Sequence, residues 1–87
     1  MLKTNVKHSR GLRIRFIGPT NYKPSRVTIR DLRHEESVTL SLSGADMLLT
    51  VEEYLTNRGI TIVSYTWTNS SADEGILLVD NFDKRIK

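Results

Sequence analysis

Alternation of apolar and polar side chains marks three strands in the first half of the chain. Ile14 and Phe16 alternate with Arg13 and Arg15, and Val27 and Ile29 alternate with Arg26, Thr28 and Arg30. A period of two is the signature of a strand with one buried face. The first strand is expected over residues 11–17 and the second over 26–33. Asp31-Leu32-Arg33 interrupts the second, as a bulge or a strand end does. His34-Glu35-Glu36 reads as a polar, solvated turn. Beyond it Val38, Leu40 and Leu42 alternate with Ser37, Thr39, Ser41 and Ser43, which gives a third strand with one apolar and one hydroxyl-rich face.

The period then changes. Met47, Leu48, Val51, Tyr54 and Leu55 fall on one stripe at helical spacing, with Glu52, Glu53 and Thr56 off it, which predicts a helix over residues 45–57. Ser43 with Asp46 three residues on resembles a capping box, and Gly59 suits the residue just past the helix end. Residues 60–68 (ITIVSYTWT) are β-rich throughout. Their inward face stays open: either Ile60 and Ile62 point to the core or Val63, Tyr65 and Trp67 do, and a bulge reconciles both. Residues 69–75 form a turn, and Ile76-Leu77-Leu78-Val79 is continuously apolar, as in a strand covered on both faces or lying at a contact between subunits. The order is β-β-β-α-β-β, an α+β fold whose mostly antiparallel sheet carries one helix packed on one face. One helix is short for five strands, so a homo-oligomer is expected.

Eighty-seven residues make a single domain over 10–87, preceded by residues 1–9, a polar stretch without period that reads as a flexible N-terminal arm. The chain has no Cys, which removes disulfides and thiolate metal sites and suits a cytoplasmic setting. No apolar run approaches the roughly 18 residues of a membrane span, so no membrane partner is expected. Charge changes the picture through its distribution. Residues 1–34 carry nine Lys/Arg against Asp31, a net of +8, whereas residues 35–83 carry nine Asp/Glu against Arg58, a net of −8. Such asymmetry points to a polyanion partner or to neutralisation of one half by the other.

The basic strands flank a bend rich in special backbone residues. Gly18 permits conformations that a Cβ forbids, Pro19 and Pro24 fix φ, and Asn21 tolerates the left-handed region. The run Arg15-Phe16-Ile17-Gly18-Pro19-Thr20-Asn21, followed by Ser25-Arg26, resembles a family of small bacterial proteins found on phages, plasmids and integrated elements. The chain departs from that pattern at Tyr22-Lys23-Pro24, where smaller residues including Gly are expected. The resemblance implies an accessory protein of a mobile element and the same outline of three strands, a helix and a C-terminal hairpin. It implies no activity.

Catalytic chemistry is thin. His8 and His34 form no helical pair, no Ser sits in a nucleophile elbow, and Gly18 stands alone where a phosphate loop needs several glycines. No catalytic residue, metal site or cofactor is assigned. Binding is better supported. If the first two strands pair, Arg13, Arg15, Arg26 and Arg30 share the face opposite Ile14, Phe16, Val27 and Ile29. Guanidinium forks, hydroxyls and the backbone N–H groups of a Gly-Pro-Thr-Asn bend are what phosphate contacts use. The expected nucleic-acid contacts are Arg13, Arg15, Arg26 and Arg30 with the bend residues Thr20, Asn21, Tyr22, Lys23 and Ser25. Tyr65 and Trp67 can stack on bases if they face the same way. The alternative is a protein–protein interaction module that binds or modulates a host or element protein.

Overall fold

Leu12, Ile14, Val27 and Ile29 all lie within 1% of full burial, so the alternation along the first two strands is realised as one closed face. The computed structural model describes residues 10–42, 44–69, 73–80 and 85–87. The arm expected over residues 1–9 lies outside them. The elements are β1 (Arg10–Ile17), β2 (Arg26–Asp31), β3 (Glu36–Ser41), α1 (Met47–Asn57), β4 (Ile62–Trp67) and β5 (Glu74–Val79). The strands form one five-stranded antiparallel sheet in the order β3-β2-β1-β5-β4, with α1 on one face. The class and element order are those expected from the pattern. Among the described residues no helix is long and apolar enough to cross a membrane.

Register assigns every side chain to a face. Ile14 stands opposite Ile29, Phe16 opposite Val27, and Leu12 opposite Leu77, all on the face that α1 covers. Arg13 stands opposite Arg30, Arg15 opposite Thr28, and Ile17 opposite Arg26, all on the open face. Phe16, expected in the core, is 38% exposed at the far end of the sheet. The third strand proves to be an edge, so Val38 and Leu40 are only half-buried and pack against the core from one side. The second strand stops at Asp31, two residues early. Its carboxylate accepts the backbone N–H groups of Arg33 and His34, at 3.0 and 3.2 Å, and so turns the chain.

The helix starts at Met47 and not at Ala45. Asp46 is its N-cap, with one carboxylate oxygen accepting the Leu49 N–H at 3.0 Å. The capping role expected of Ser43 falls outside the described residues. At the other end Ile60 N–H bonds to Leu55 C=O and Gly59 N–H to Thr56 C=O, a Schellman closure. Gly59 adopts φ +79°, which a side chain resists. Val51 and Leu55 are fully buried against Leu42, Ile60 and Ile86. The tail closes over the helix: Ile86 is buried, and its carbonyl accepts the Tyr54 hydroxyl.

The second hairpin fixes the inward face left open for residues 60–68. A register shift between Ile62 and Ser64 places Ile62, Tyr65 and Trp67 on the helix face and leaves Val63 exposed. Gly75, expected in a turn, belongs to β5 under the Trp67 ring. A Cβ there would sit 2.8 Å from Thr66 O and 3.0 Å from the ring. β5 lies between β1 and β4, so Leu77 and Val79 are buried under the helix while Ile76 and Leu78 are half-buried on the open face. The continuous apolar run is thus an interior strand of the sheet, closed on the helix face and half-open on the other.

Candidate nucleic-acid interface

Thr28, on β2, is the centre of the arginine cluster on the open face. Antiparallel pairing puts Arg15 across from it on β1 and Thr39 across from it on β3, while Arg26 and Arg30 flank it two positions away along β2. Arg13 lies on the diagonal, directly opposite Arg30. Diagonal neighbours on a sheet face are about 7–8 Å apart, within reach of side chains as long as arginine. The four arginines singled out by alternation are therefore brought together around one hydroxyl. Arg13, Arg15 and Arg30 are exposed and Arg26 is half-buried.

Among the described residues no carboxylate closes an ion pair with Arg13, Arg15, Arg26 or Arg30. Glu74 stands across from Arg15 on β5 without closing one. The neighbours on β3 are hydroxyls instead. Arg30 Nη1 donates to Ser37 Oγ at 3.2 Å, and the Thr28 and Thr39 hydroxyl oxygens lie 3.4 Å apart. Arg13, Arg15, Ile17, Thr28, Arg30 and Ser37 line a concavity of about 250 Å3 on this face. Guanidinium forks around hydroxyls in a shallow basin can receive the oxygens of a phosphate.

The bend contributes less than its composition promises. Thr20, Asn21, Tyr22 and Lys23 are exposed, Tyr22 at 95%, and Ser25 is half-buried. Thr20 Oγ1 accepts the N–H groups of Tyr22 and Lys23, at 3.3 and 3.1 Å, and Thr20 N–H bonds to Lys23 C=O at 2.9 Å. The Thr20, Tyr22 and Lys23 amides are therefore spent inside the bend. Ser25 holds Leu42 N–H through its carbonyl. Tyr22 and Lys23 remain as exposed side chains on the bend that joins β1 and β2. Tyr65 and Trp67 are on the opposite face, with ring centroids 6.1 Å apart, so they cannot stack on a ligand held by these arginines.

A second polar cluster lies on the helix face. In place of the solvated turn expected over His34-Glu35-Glu36, the His34 ring bonds to Asp31 at 2.8 Å, and Arg10 Nη1 approaches the same carboxylate oxygen at 3.4 Å. Asp31 is fully buried and Arg10 nearly so. Burial pushes the Asp31 carboxyl up. The His34 ring, the two turn amides and the Arg10 charge outweigh it and hold the group below its ordinary value. The parity of Val27, Ile29 and Asp31 carried this signal, because all three must face inward together. Asp31, His34 and Glu36 bring possible metal ligands within 4.8 Å of one another. Arg10 already pairs with Asp31, and Arg85 pairs with Glu36 at 3.3 Å, so both carboxylates are engaged by guanidinium groups. The arrangement is that of a buried structural network.

No family model, no curated protein and no solved structure matches this chain.

Proposed function

We propose that this chain is a nucleic-acid-binding protein that lays the open face of its sheet across the phosphate backbone. The observation that carries the reading is the ring of Arg13, Arg15, Arg26 and Arg30 around Thr28 with no carboxylate partner among the described residues. Shape then limits the mode of contact. Five strands at about 4.8 Å spacing hold their outer axes about 19 Å apart, more than the roughly 12 Å width of a DNA major groove. The face meets phosphates rather than base edges, and contacts of that kind position a duplex without reading its sequence. With Tyr65 and Trp67 on the far face, stacking is left to the exposed Tyr22 at the bend. An accessory role on a mobile element rests on the resemblance of residues 15–26 alone.

Fluorescence anisotropy with labelled single- and double-stranded DNA and RNA at low salt tests the proposal. Binding of similar strength to unrelated sequences, weakened in Arg15→Gln/Arg26→Gln, supports it. No binding by folded protein eliminates it.

One observation favours a second reading as a protein-interaction module. A groove of about 620 Å3 runs between α1 and the edge strand β4, lined by Leu48, Leu49, Ile62, Val63 and Tyr65 and flanked by Asp46 and Glu52. Leu49, Val63 and Tyr65 are each more than half exposed. An extended peptide with apolar anchors and Lys or Arg would add to the β4 edge and match the acidic flank. A flat low-salt titration makes this the default reading.

A further inference from the structure

The basic face is concave between β1 and β3, and its concavity suits one particular form of phosphate. Arg13, Arg15 and Arg30 line it together with Thr28 and Ser37, and Ile17 closes one side. Each guanidinium offers a planar fork of donors, and Arg30 is steadied by its 3.2 Å bond to Ser37. Arg13 and Arg30 stand directly opposite one another. Three like charges converging on one basin repel each other, and among the described residues no carboxylate closes an ion pair with them, Glu74 standing across from Arg15 without contact. A phosphodiester within a strand brings a single negative charge and two free oxygens. A phosphate monoester brings about −1.5 to −2 and three acceptor oxygens. It neutralises the basin more fully and gives each guanidinium an oxygen to hold.

Resting on the nucleic-acid reading above, we infer that the basin lined by Arg13, Arg15 and Arg30 is a site for the terminal phosphate monoester of a nucleic-acid strand. The remaining contacts, from Arg26 and the projecting Lys23, then fall on the diester backbone that leads away from that end. The basin's lining includes the Thr28 and Ser37 hydroxyls and no aromatic side chain.

Anisotropy titrations with oligonucleotides of one sequence, ending in 5′-hydroxyl, 5′-phosphate or 3′-phosphate, test this at fixed low salt. One phosphorylated end should bind roughly tenfold more tightly than the hydroxyl form, because it adds charge-assisted bonds, and the two phosphorylated arms identify which end is held. Inorganic phosphate should compete away that increment while leaving the weaker diester binding in place. Arg13→Gln, at an exposed position and checked for folding by circular dichroism, should abolish the preference and leave residual binding to the hydroxyl form. Equal affinity for all three ends overturns this inference and leaves backbone binding standing. A preference that survives Arg13→Gln also overturns it. A phosphoserine peptide that binds more tightly than the phosphorylated oligonucleotides overturns the nucleic-acid assignment of the basin. Absence of binding to every oligonucleotide by folded protein defeats both readings.

Discussion

Arg13 on β1 and Arg30 on β2 stand directly opposite each other on the open face, two cations on which no carboxylate among the described residues closes. Like charges at directly opposed sheet positions are destabilising, on the scale of about 0.2–1 kcal/mol for cross-strand pairs. Arg13→Thr should therefore leave the urea midpoint unchanged or raise it, since Thr also suits a strand. The same variant should weaken nucleic-acid binding. A stability loss above about 1 kcal/mol would mean that the arginine serves the fold.

The sole tryptophan sits on the helix face, over Gly75 and away from the arginines. Its fluorescence should stay within a few per cent when nucleic acid is added, and Tyr65→Ala should change single-strand affinity by less than about twofold, since stacking is worth about 1–3 kcal/mol per base where it occurs. Strong quenching of Trp67 together with a loss of binding in Tyr65→Ala would move the interface to the other face.

Asp31 stabilises the fold in its ionised form. Its carboxyl is held below the ordinary value near 3.8, so that stabilisation is fully present above about pH 5 and is lost as pH falls through the lowered value. Urea midpoints between pH 2 and 6 should show the parent losing stability relative to Asp31→Asn below about pH 4. Parallel profiles would contradict the buried pairing. Asp31→Ala, which strips the carboxylate from the buried Arg10, should cost about 3–5 kcal/mol.

Position in the sheet ranks the core substitutions. Ile29 is fully buried on β2, with strands on both sides, and Ile29→Ala should cost about 2–5 kcal/mol. Leu40 on the edge is half-buried, so Leu40→Ala should cost about half as much. Equal losses would place β3 inside the sheet.

Local patterning carried most of this architecture. Alternation at Ile14, Phe16, Val27, Ile29, Val38 and Leu40 sufficed to assign the faces and to bring Arg13, Arg15, Arg26 and Arg30 together, because parity along paired strands leaves no other arrangement. Strand order is a non-local property, and nothing in residues 36–41 marks them as an edge. The bulge at Val63 was open for the same reason, since its parity change depends on the partner strand. Asp31 misled because a carboxylate at an inward position reads as a break in the strand until Arg10, which lies far from it in sequence, and the His34 ring, three residues on, arrive beside it. The bend misled in the opposite sense: its composition offers free amides, but the Thr20 hydroxyl claims those of Tyr22 and Lys23.

Salt dependence is the most direct test of whether the arginine ring holds phosphates. Each neutralised phosphate on duplex DNA contributes about −0.9 to the slope of log affinity against log salt, so four contacts predict a slope near −3 to −4. Arg15→Gln/Arg26→Gln should lower its magnitude by roughly 2 and weaken binding equally across sequences. A slope near zero, or a steep slope that the double substitution leaves unchanged, would contradict the assignment of this face.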